Sequence, residues 1–195
     1  MMPFAAAVTE SAGRPATVPR ILVAGIGNIF LGDDAFGVEV VRRWANRRLP
    51  LEARVVDFGI RGLDLTYALL DGYEAVILVD ACPRGGSPGT LYVLETELDA
   101  DQTNADDPAA PTAAMIDTHA MDPVKVLRLA AAMGSKAKRV LLVGCEPSPN
   151  SPADETGTDL SMEISAAVRA AIDPAAELVE SLVARLLARE DAVEK

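Results

Sequence analysis

Two carboxylates and one imidazole are the side chains whose types and positions best suit chemistry. Asp34 stands in AGIGNIFLGDDAFG, where a glycine-rich turn follows an apolar run. Asp80 closes the apolar run AVILVD, and His119 is the only histidine of the chain. Two carboxylates and one imidazole form a mixed oxygen and nitrogen ligand set that suits nickel, zinc, cobalt or manganese. Such a site can polarise a carbonyl and lower the pKa of a bound water towards ~7.

The glycine-rich turn is similar to a nucleotide-binding loop, but it lacks the residues that such a loop needs. The dinucleotide fingerprint G-x-G-x-x-G fits at Gly25 and Gly27, whereas Phe30 stands at the third glycine position. The carboxylates of Asp33 and Asp34 would lie near the phosphates, and like charges at ~4 Å repel by roughly 1 kcal/mol even in bulk water. There is no GK[ST] either, so a P-loop is excluded. The two aspartates indicate a cation in place of an anion.

Each of these residues also has a simpler interpretation. Aspartates in the first turn of a helix cap free N–H groups and contribute roughly 0.5 to 2 kcal/mol. Asp80 is also typical of a turn former at a strand end, and a lone histidine such as His119 is often incidental. Of the adjacent pair, we assign the helix cap to Asp33 and the metal site to Asp34.

The elements that must position these residues alternate between strands and helices. Short runs rich in Val, Ile and Leu predict buried strands at residues 20–24, 53–57, 75–80 and 139–144. Apolar residues at helical spacing lie between them, as in the segment 63–70. This alternation predicts an α/β fold, a three-layer α/β/α sandwich with a mostly parallel, twisted sheet.

The expected strand order brings the two aspartates together. If the first three strands lie in the order 2-1-3, the loops after the first and third strands diverge, and ligands bind in the crevice between them. Asp34 and Asp80 then face one crevice. The segment 89–94 follows GGSPG with no room for a helix, so it is predicted to be an antiparallel strand.

The second half of the chain is predicted to contain a polar loop and helices. Residues 95–117 carry seven acidic side chains and no basic ones, which is typical of a loop. Asp122, followed by Pro123, is a suitable cap for a helix. Ser161 is a candidate cap for the C-terminal helices, which Asp173–Pro174 is expected to interrupt or restart.

Composition bounds the class of protein. The 195 residues suit one domain, and we divide them into a flexible leader (1–19), a single α/β domain (20–189) and a tail (190–195). The net charge of −11 disfavours nucleic acid and anionic membranes as partners. No apolar run reaches the ~18 to 20 residues of a membrane-spanning helix. We expect a soluble cytoplasmic protein, with a monomer favoured.

Five motifs spread over most of the chain: GIGNIFLGDDAFG (25–37), DFGIRG (57–62), ILVDA (77–81), DTHAMDP (117–123) and VGCEP (143–147). Together, and in this order, they resemble one known family, the hydrogenase maturation endopeptidases. The resemblance implies an endopeptidase that removes the C-terminal extension of a nickel-iron hydrogenase large-subunit precursor after nickel insertion. It also implies that the precursor is the partner and supplies the nickel, for which zinc or another divalent ion is a surrogate.

The resemblance also assigns roles to single residues. The family's two metal-binding carboxylates fall on Asp34 and Asp80, and its histidine falls on His119. The same three residues are then the expected catalytic residues.

Two other functions remain open at this point. Cys145 and Cys82 both follow predicted strands, and a cysteine peptidase would use one of them with His119 as its base. They form no CxxC pair, which argues against a zinc ribbon or a disulfide framework. The second alternative is a non-catalytic, metal-binding maturation chaperone that docks on the precursor.

Overall fold

The computed structural model of the protein describes residues 19–96, 122–135, 137, 139–149 and 163–190. Within these ranges the chain forms strands and helices in alternation. In chain order they are β1 (Ile21–Ile26), a 3₁₀ turn (Gly32–Ala35), α1 (Phe36–Ala45), β2 (Ala53–Gly59), α2 (Gly62–Ala68), a 3₁₀ turn (Leu69–Asp71), β3 (Ala75–Ala81), β4 (Leu91–Thr96), α3 (Pro123–Ala132), β5 (Arg139–Cys145) and α4 (Ala166–Glu190).

The strands form one sheet in the order β2-β1-β3-β5-β4. The pairs β1–β2, β1–β3 and β3–β5 are parallel. Of the strands in the described ranges, only β4 runs antiparallel, beside β5. The expected 2-1-3 order and the antiparallel strand are therefore confirmed. Because β2 lies on one side of β1 and β3 lies on the other, the strand order reverses between β1 and β3.

Alternate residues of each strand face opposite sides of the sheet, and both sides are covered by helices. Ile21 and Val23 pack in one apolar cluster with side chains of α1 and α4. Leu22 and Ala24 pack in a second cluster with side chains of α2 and α3. The predicted three-layer α/β/α sandwich is confirmed.

The C-terminal helix α4 is continuous, so the expected interruption at Asp173–Pro174 is wrong. Pro174 lies inside the helix on its exposed face, where water can bond to the carbonyl that loses its N–H donor. Buried residues such as Ile172 and Ala175 lie on either side of it in one cluster. Packing of this stripe outweighs the cost of about 3 kcal/mol for an interior proline. Ser165 caps the helix, its hydroxyl accepting a hydrogen bond from the N–H of Val168 (3.4 Å); the proposed cap Ser161 lies outside the described residues.

The first two residues of the predicted acidic loop lie in a strand. Glu95 and Thr96 belong to β4, because antiparallel pairing with β5 continues through them and the Glu95 carboxylate forms a salt bridge with Arg139. Residues 97–121, which include His119, lie outside the described residues. The predicted cap of α3 is confirmed: the Asp122 carboxylate accepts a hydrogen bond from the N–H of Val124 (2.9 Å), and Pro123 occupies the first helical position. None of the helices in the described ranges has the length and apolar content needed to cross a membrane.

Candidate active site

Asp34 and Asp80 lie at the carboxyl edge of the sheet. Asp34 belongs to the 3₁₀ turn that follows β1, and Asp80 is the last residue but one of β3. These two strands are neighbours, and the chain order reverses between them, which is where ligands bind in open α/β sheets. The structure therefore brings together two of the three predicted site residues.

Two glycines allow the turn that carries Asp34 to approach the strands. Gly27 has a φ of 124°, and a Cβ there would lie 1.8 Å from the carbonyl oxygen of Asp34. At Gly37, in the first turn of α1, a Cβ would lie 2.0 Å from the carbonyl oxygen of Val79. No side chain fits at either position. The glycine-rich motif thus packs the start of α1 against the end of β3, next to Asp80.

The Asp34 carboxyl group is half-buried and held by the backbone. Its Oδ2 accepts a hydrogen bond of 2.6 Å from the N–H of Asn28. Burial raises the pKa of Asp34, and the hydrogen bond from Asn28, which favours the charged form, partly offsets that rise. The carboxylate is therefore oriented and only partly solvated, as expected of a ligand or a base.

The Asp80 carboxyl group is perturbed more strongly. Burial, followed by repulsion from the charge of Asp34, raises the pKa of Asp80 to about 8, against a smaller opposing effect of the N–H of Ala81. Each carboxyl group therefore disfavours the charge of the other, and the neutral form of Asp80 is favoured relative to that of an exposed aspartate.

A divalent cation beside two such groups would favour their charged forms, because it replaces their repulsion by attraction. Carboxylate oxygens suit several divalent metals, and an imidazole would shift the preference towards nickel or zinc. Among the described residues, no group of three His, Cys, Asp or Glu side chains forms a ready metal site. The predicted third ligand, His119, lies outside the described residues, and its place beside the two aspartates stays a prediction.

The assignment of Asp33 as the cap of the following helix is wrong. Asp33 is fully buried, and neither the 3₁₀ turn nor α1 has a side-chain cap. Its carboxylate instead accepts hydrogen bonds from the N–H of Ser148 (2.8 Å) and the N–H of Ser165 (2.7 Å). Asp33 therefore ties the turn that carries Asp34 to the loop after β5 and to the start of α4.

Glu146 is a structural residue of the site that sequence reasoning missed. It is buried, and its carboxylate accepts hydrogen bonds from the N–H groups of Arg84 (2.8 Å) and Gly85 (3.0 Å) and from the Tyr92 hydroxyl (2.8 Å). Burial alone raises the pKa of Glu146, but these hydrogen bonds outweigh it and lower the pKa. Glu146 thus fixes the loop that follows Asp80. Its position in VGCEP, directly after β5, was the available signal.

Neither cysteine has the environment of a nucleophile. Cys145 is fully buried, and burial together with the charges of Asp33 and Glu146 raises its pKa to about 12. Burial also raises the pKa of Cys82, although the neighbouring Arg84 opposes this rise. A catalytic thiol needs a lowered pKa. The cysteine peptidase alternative is therefore not favoured.

Comparison with known proteins decides the family. A family model described as hydrogenase maturation protease matches residues 38–182, well over half of the chain. The chain belongs to the hydrogenase maturation protease family. Among its relatives is the hydrogenase expression/formation protein HupD of Rhodobacter capsulatus, which is 37% identical over 135 residues, 68% of this chain and 60% of HupD.

Solved structures of hydrogenase maturation proteases have the same fold. The hydrogenase maturating endopeptidase HybD of Escherichia coli superimposes with a TM-score of 0.62 at 25% identity, covering 85% of this chain and 93% of HybD. The hydrogenase 2 maturation peptidase of a Thaumarchaeota archaeon gives a TM-score of 0.61 at 31% identity, covering 85% of this chain and 98% of that protein. The chain spans about three fifths of the length of the first curated relatives it matches.

Proposed function

We propose that this protein is an endopeptidase that removes the C-terminal extension of a nickel-iron hydrogenase large-subunit precursor after nickel has been inserted. Membership of the hydrogenase maturation protease family supports a hydrolytic function with this class of partner. The observation that carries the proposal is the pair of interacting carboxyl groups of Asp34 and Asp80 at the reversal point of the sheet.

The nickel in this proposal is part of the substrate, and Asp34, Asp80 and His119 bind it. The raised pKa of Asp80 supports this assignment, because a cation beside two repelling carboxyl groups favours their ionised forms. Recognition of the loaded precursor then releases the proton of Asp80. A precursor without nickel offers no such gain, so the site distinguishes mature from immature metal centres.

The same carboxylates are suited to hydrolysis once the nickel has placed the scissile peptide beside them. A carboxylate of the pair accepts a proton from the attacking water, whose oxygen bonds to the carbonyl carbon. The carbon–nitrogen bond then breaks, and the accepted proton passes to the leaving nitrogen. The hydrogen bond from Asn28 keeps Asp34 in one orientation for this role.

The test is the mass of the precursor before and after incubation with the protein, with and without nickel. We expect a shortened large subunit only from the nickel-loaded precursor. Asp34→Asn, Asp80→Asn and His119→Ala should each abolish the shortening, since each removes a proposed ligand. Processing at the wild-type rate by all three variants would show that these residues are not the site.

A non-catalytic maturation chaperone is the second outcome that this assay detects. Stable binding of the nickel-loaded precursor without any change in its mass would establish that alternative. The cytoplasmic location and the monomeric state stay predictions. Gel filtration of the purified protein tests the second of them.

A further inference from the structure

Exposed apolar side chains gather at the carboxyl ends of β1 and β2, beside the turn that carries Asp34. We call Ile29, Phe30, Ile60 and Leu63 the apolar rim; their exposed fractions are 38%, 59%, 48% and 57%. Among the described residues, nine large apolar side chains are exposed, and five of them are the rim residues and Tyr67 of α2. Such a concentration of apolar surface on a soluble fold marks an interaction site.

The apolar rim is held in shape by backbone hydrogen bonds. The N–H of Gly27 donates to the carbonyl oxygen of Gly59 (3.1 Å), which joins the loop after β1 to the loop after β2. The Asn28 side-chain oxygen accepts from the N–H of Phe30 (3.0 Å), and the N–H of Asn28 donates to Asp34. The rim and the Asp34 carboxyl group therefore share one ordered loop, which reduces the entropy lost when a ligand binds.

A groove lies between β2 and α2, and two of its lining residues, Phe58 and Arg61, are close to Ile60 of the apolar rim in the sequence. It has a volume of about 410 Å³, and its other lining residues include Tyr67 and the charged Arg54, Asp64 and Asp71. Its volume falls in the range of about 300 to 1,000 Å³ that is common for ligand sites. Within the described part of the chain, β2 has a strand partner on one side only. An extended peptide suits a groove of this kind beside an edge strand.

We propose that the apolar rim and this groove bind the precursor segment that flanks the scissile bond, as an extended peptide with apolar side chains on the rim. The proposal rests on the proposed endopeptidase function. The occupant follows from continuity with the candidate active site: the rim begins four residues from Asp34 on the same loop, so a peptide bond at Asp34 places its neighbouring residues on the rim.

The test compares a rim variant with a control variant of matched exposure. Phe30→Ser with Leu63→Ser removes rim side chains that are 59% and 57% exposed. The control, Leu51→Ser with Met133→Ser, removes apolar side chains that are 62% and 46% exposed. Leu51 precedes β2 and Met133 follows α3, so neither residue belongs to the rim. Both double variants are assayed for cleavage of the nickel-loaded precursor, followed by mass, at several precursor concentrations.

We expect kcat/KM of the rim variant to fall by about 10- to 100-fold, mostly through KM, because each buried side chain contributes roughly a factor of ten to binding. The control variant should stay within about twofold of the wild type. Circular dichroism and Tm of both variants should match the wild type. Equal KM values for the rim and control variants would overturn the rim proposal.

Two further measurements separate this proposal from its alternatives. Normal processing by Asp34→Asn would overturn the proposed endopeptidase site, whereas loss of processing in Asp34→Asn with unchanged KM in the rim variant would overturn the rim proposal alone. Sedimentation of the free protein tests a second copy as the occupant. A wild-type dimer that the rim substitutions dissociate, without any change in KM, would also overturn the proposal.

Discussion

Asp33 and Asp34 are adjacent in the sequence, yet their carboxyl groups lie in different environments. Asp33 is fully buried and accepts hydrogen bonds from the N–H groups of Ser148 and Ser165. Asp34 is half-buried, accepts one from the N–H of Asn28, and acts on Asp80 at the edge of the sheet. One residue of the pair therefore joins distant segments, and the other belongs to the proposed site with Asp80.

Because of this difference, the same substitution should lower stability at Asp33 and activity at Asp34. Asp33→Asn places an amide –NH₂ opposite one of two buried N–H donors, so we expect a loss of about 2 to 4 kcal/mol of stability and a Tm lower by roughly 5 to 10 °C. Asp34→Asn keeps an acceptor for Asn28 and should leave Tm within about 2 °C of the wild type while cleavage stops. Differential scanning calorimetry and the precursor assay measure the two effects. Equal losses of stability at both positions would contradict this difference.

The raised pKa of Asp80 predicts a pH dependence of stability. The pKa is near 3.8 in the unfolded chain and about 8 in the folded protein. Between these values the folded state binds more protons, so the free energy of unfolding should fall as pH rises from about 4 to about 8 and level off above. After allowance for solvent screening of a half-buried group, we expect on the order of 2 kcal/mol.

The matched control is Asp80→Asn, which carries no titrating proton. Denaturant unfolding of both proteins at several pH values gives the difference between them, in which titrating groups that do not interact with Asp80 cancel. The wild type should lose stability relative to Asp80→Asn as pH rises through this range. A constant difference, or one of opposite slope, would exclude the strong perturbation of Asp80.

Much of the site was predictable because parallel strands end at a common edge. In the sequence, Asp34 follows the first apolar run and Asp80 ends the third, which predicts that both lie at the reversal point of the sheet. The actual partners of Asp33 were not predictable in this way. They are backbone N–H groups at Ser148 and Ser165. The type of a residue does not indicate where its backbone N–H donates a hydrogen bond.

Two other errors have the same physical origin, which is long-range packing that overrides a local preference. Pro174 lowers the local helix propensity, but the apolar stripe of α4 packs on the sheet on both sides of it. Glu95 is acidic and suits a loop, but Arg139 of β5 pairs with it and prolongs β4. The role of Glu146 was not predicted, because most of its hydrogen-bond partners are backbone groups of a different loop.

Gly27 predicts a sharp effect of one added methyl group. A Cβ at Gly27 would lie 1.8 Å from the carbonyl oxygen of Asp34, so Gly27→Ala should displace the Asp34 turn and abolish cleavage. Gly72 is the control, because its φ is also positive (84°) and a Cβ there would meet nothing within 4 Å. Gly72→Ala should cost about 1 kcal/mol from backbone strain alone and remain active. Comparable activity of the two variants would refute the close approach at Gly27.

The raised pKa values of Cys82 and Cys145 predict that neither thiol is the nucleophile of the reaction. Cys82→Ser should process the nickel-loaded precursor at the wild-type rate, because the raised pKa of that thiol makes it a poor nucleophile. Cys145→Ala should be active but less stable, by about 1 kcal/mol, because it removes a buried sulfur from the core. Loss of cleavage by a folded Cys82→Ser protein would support the alternative function as a cysteine peptidase.

The hydrogen bonds of Asp33 also order events during synthesis. The turn that carries Asp34 leaves the ribosome early, whereas Ser148 and Ser165 are 115 and 132 residues further along the chain. A nascent chain that has not reached them lacks the donors that hold this turn in place. We therefore expect this turn to take its final position only after the C-terminal helix has been made and has docked.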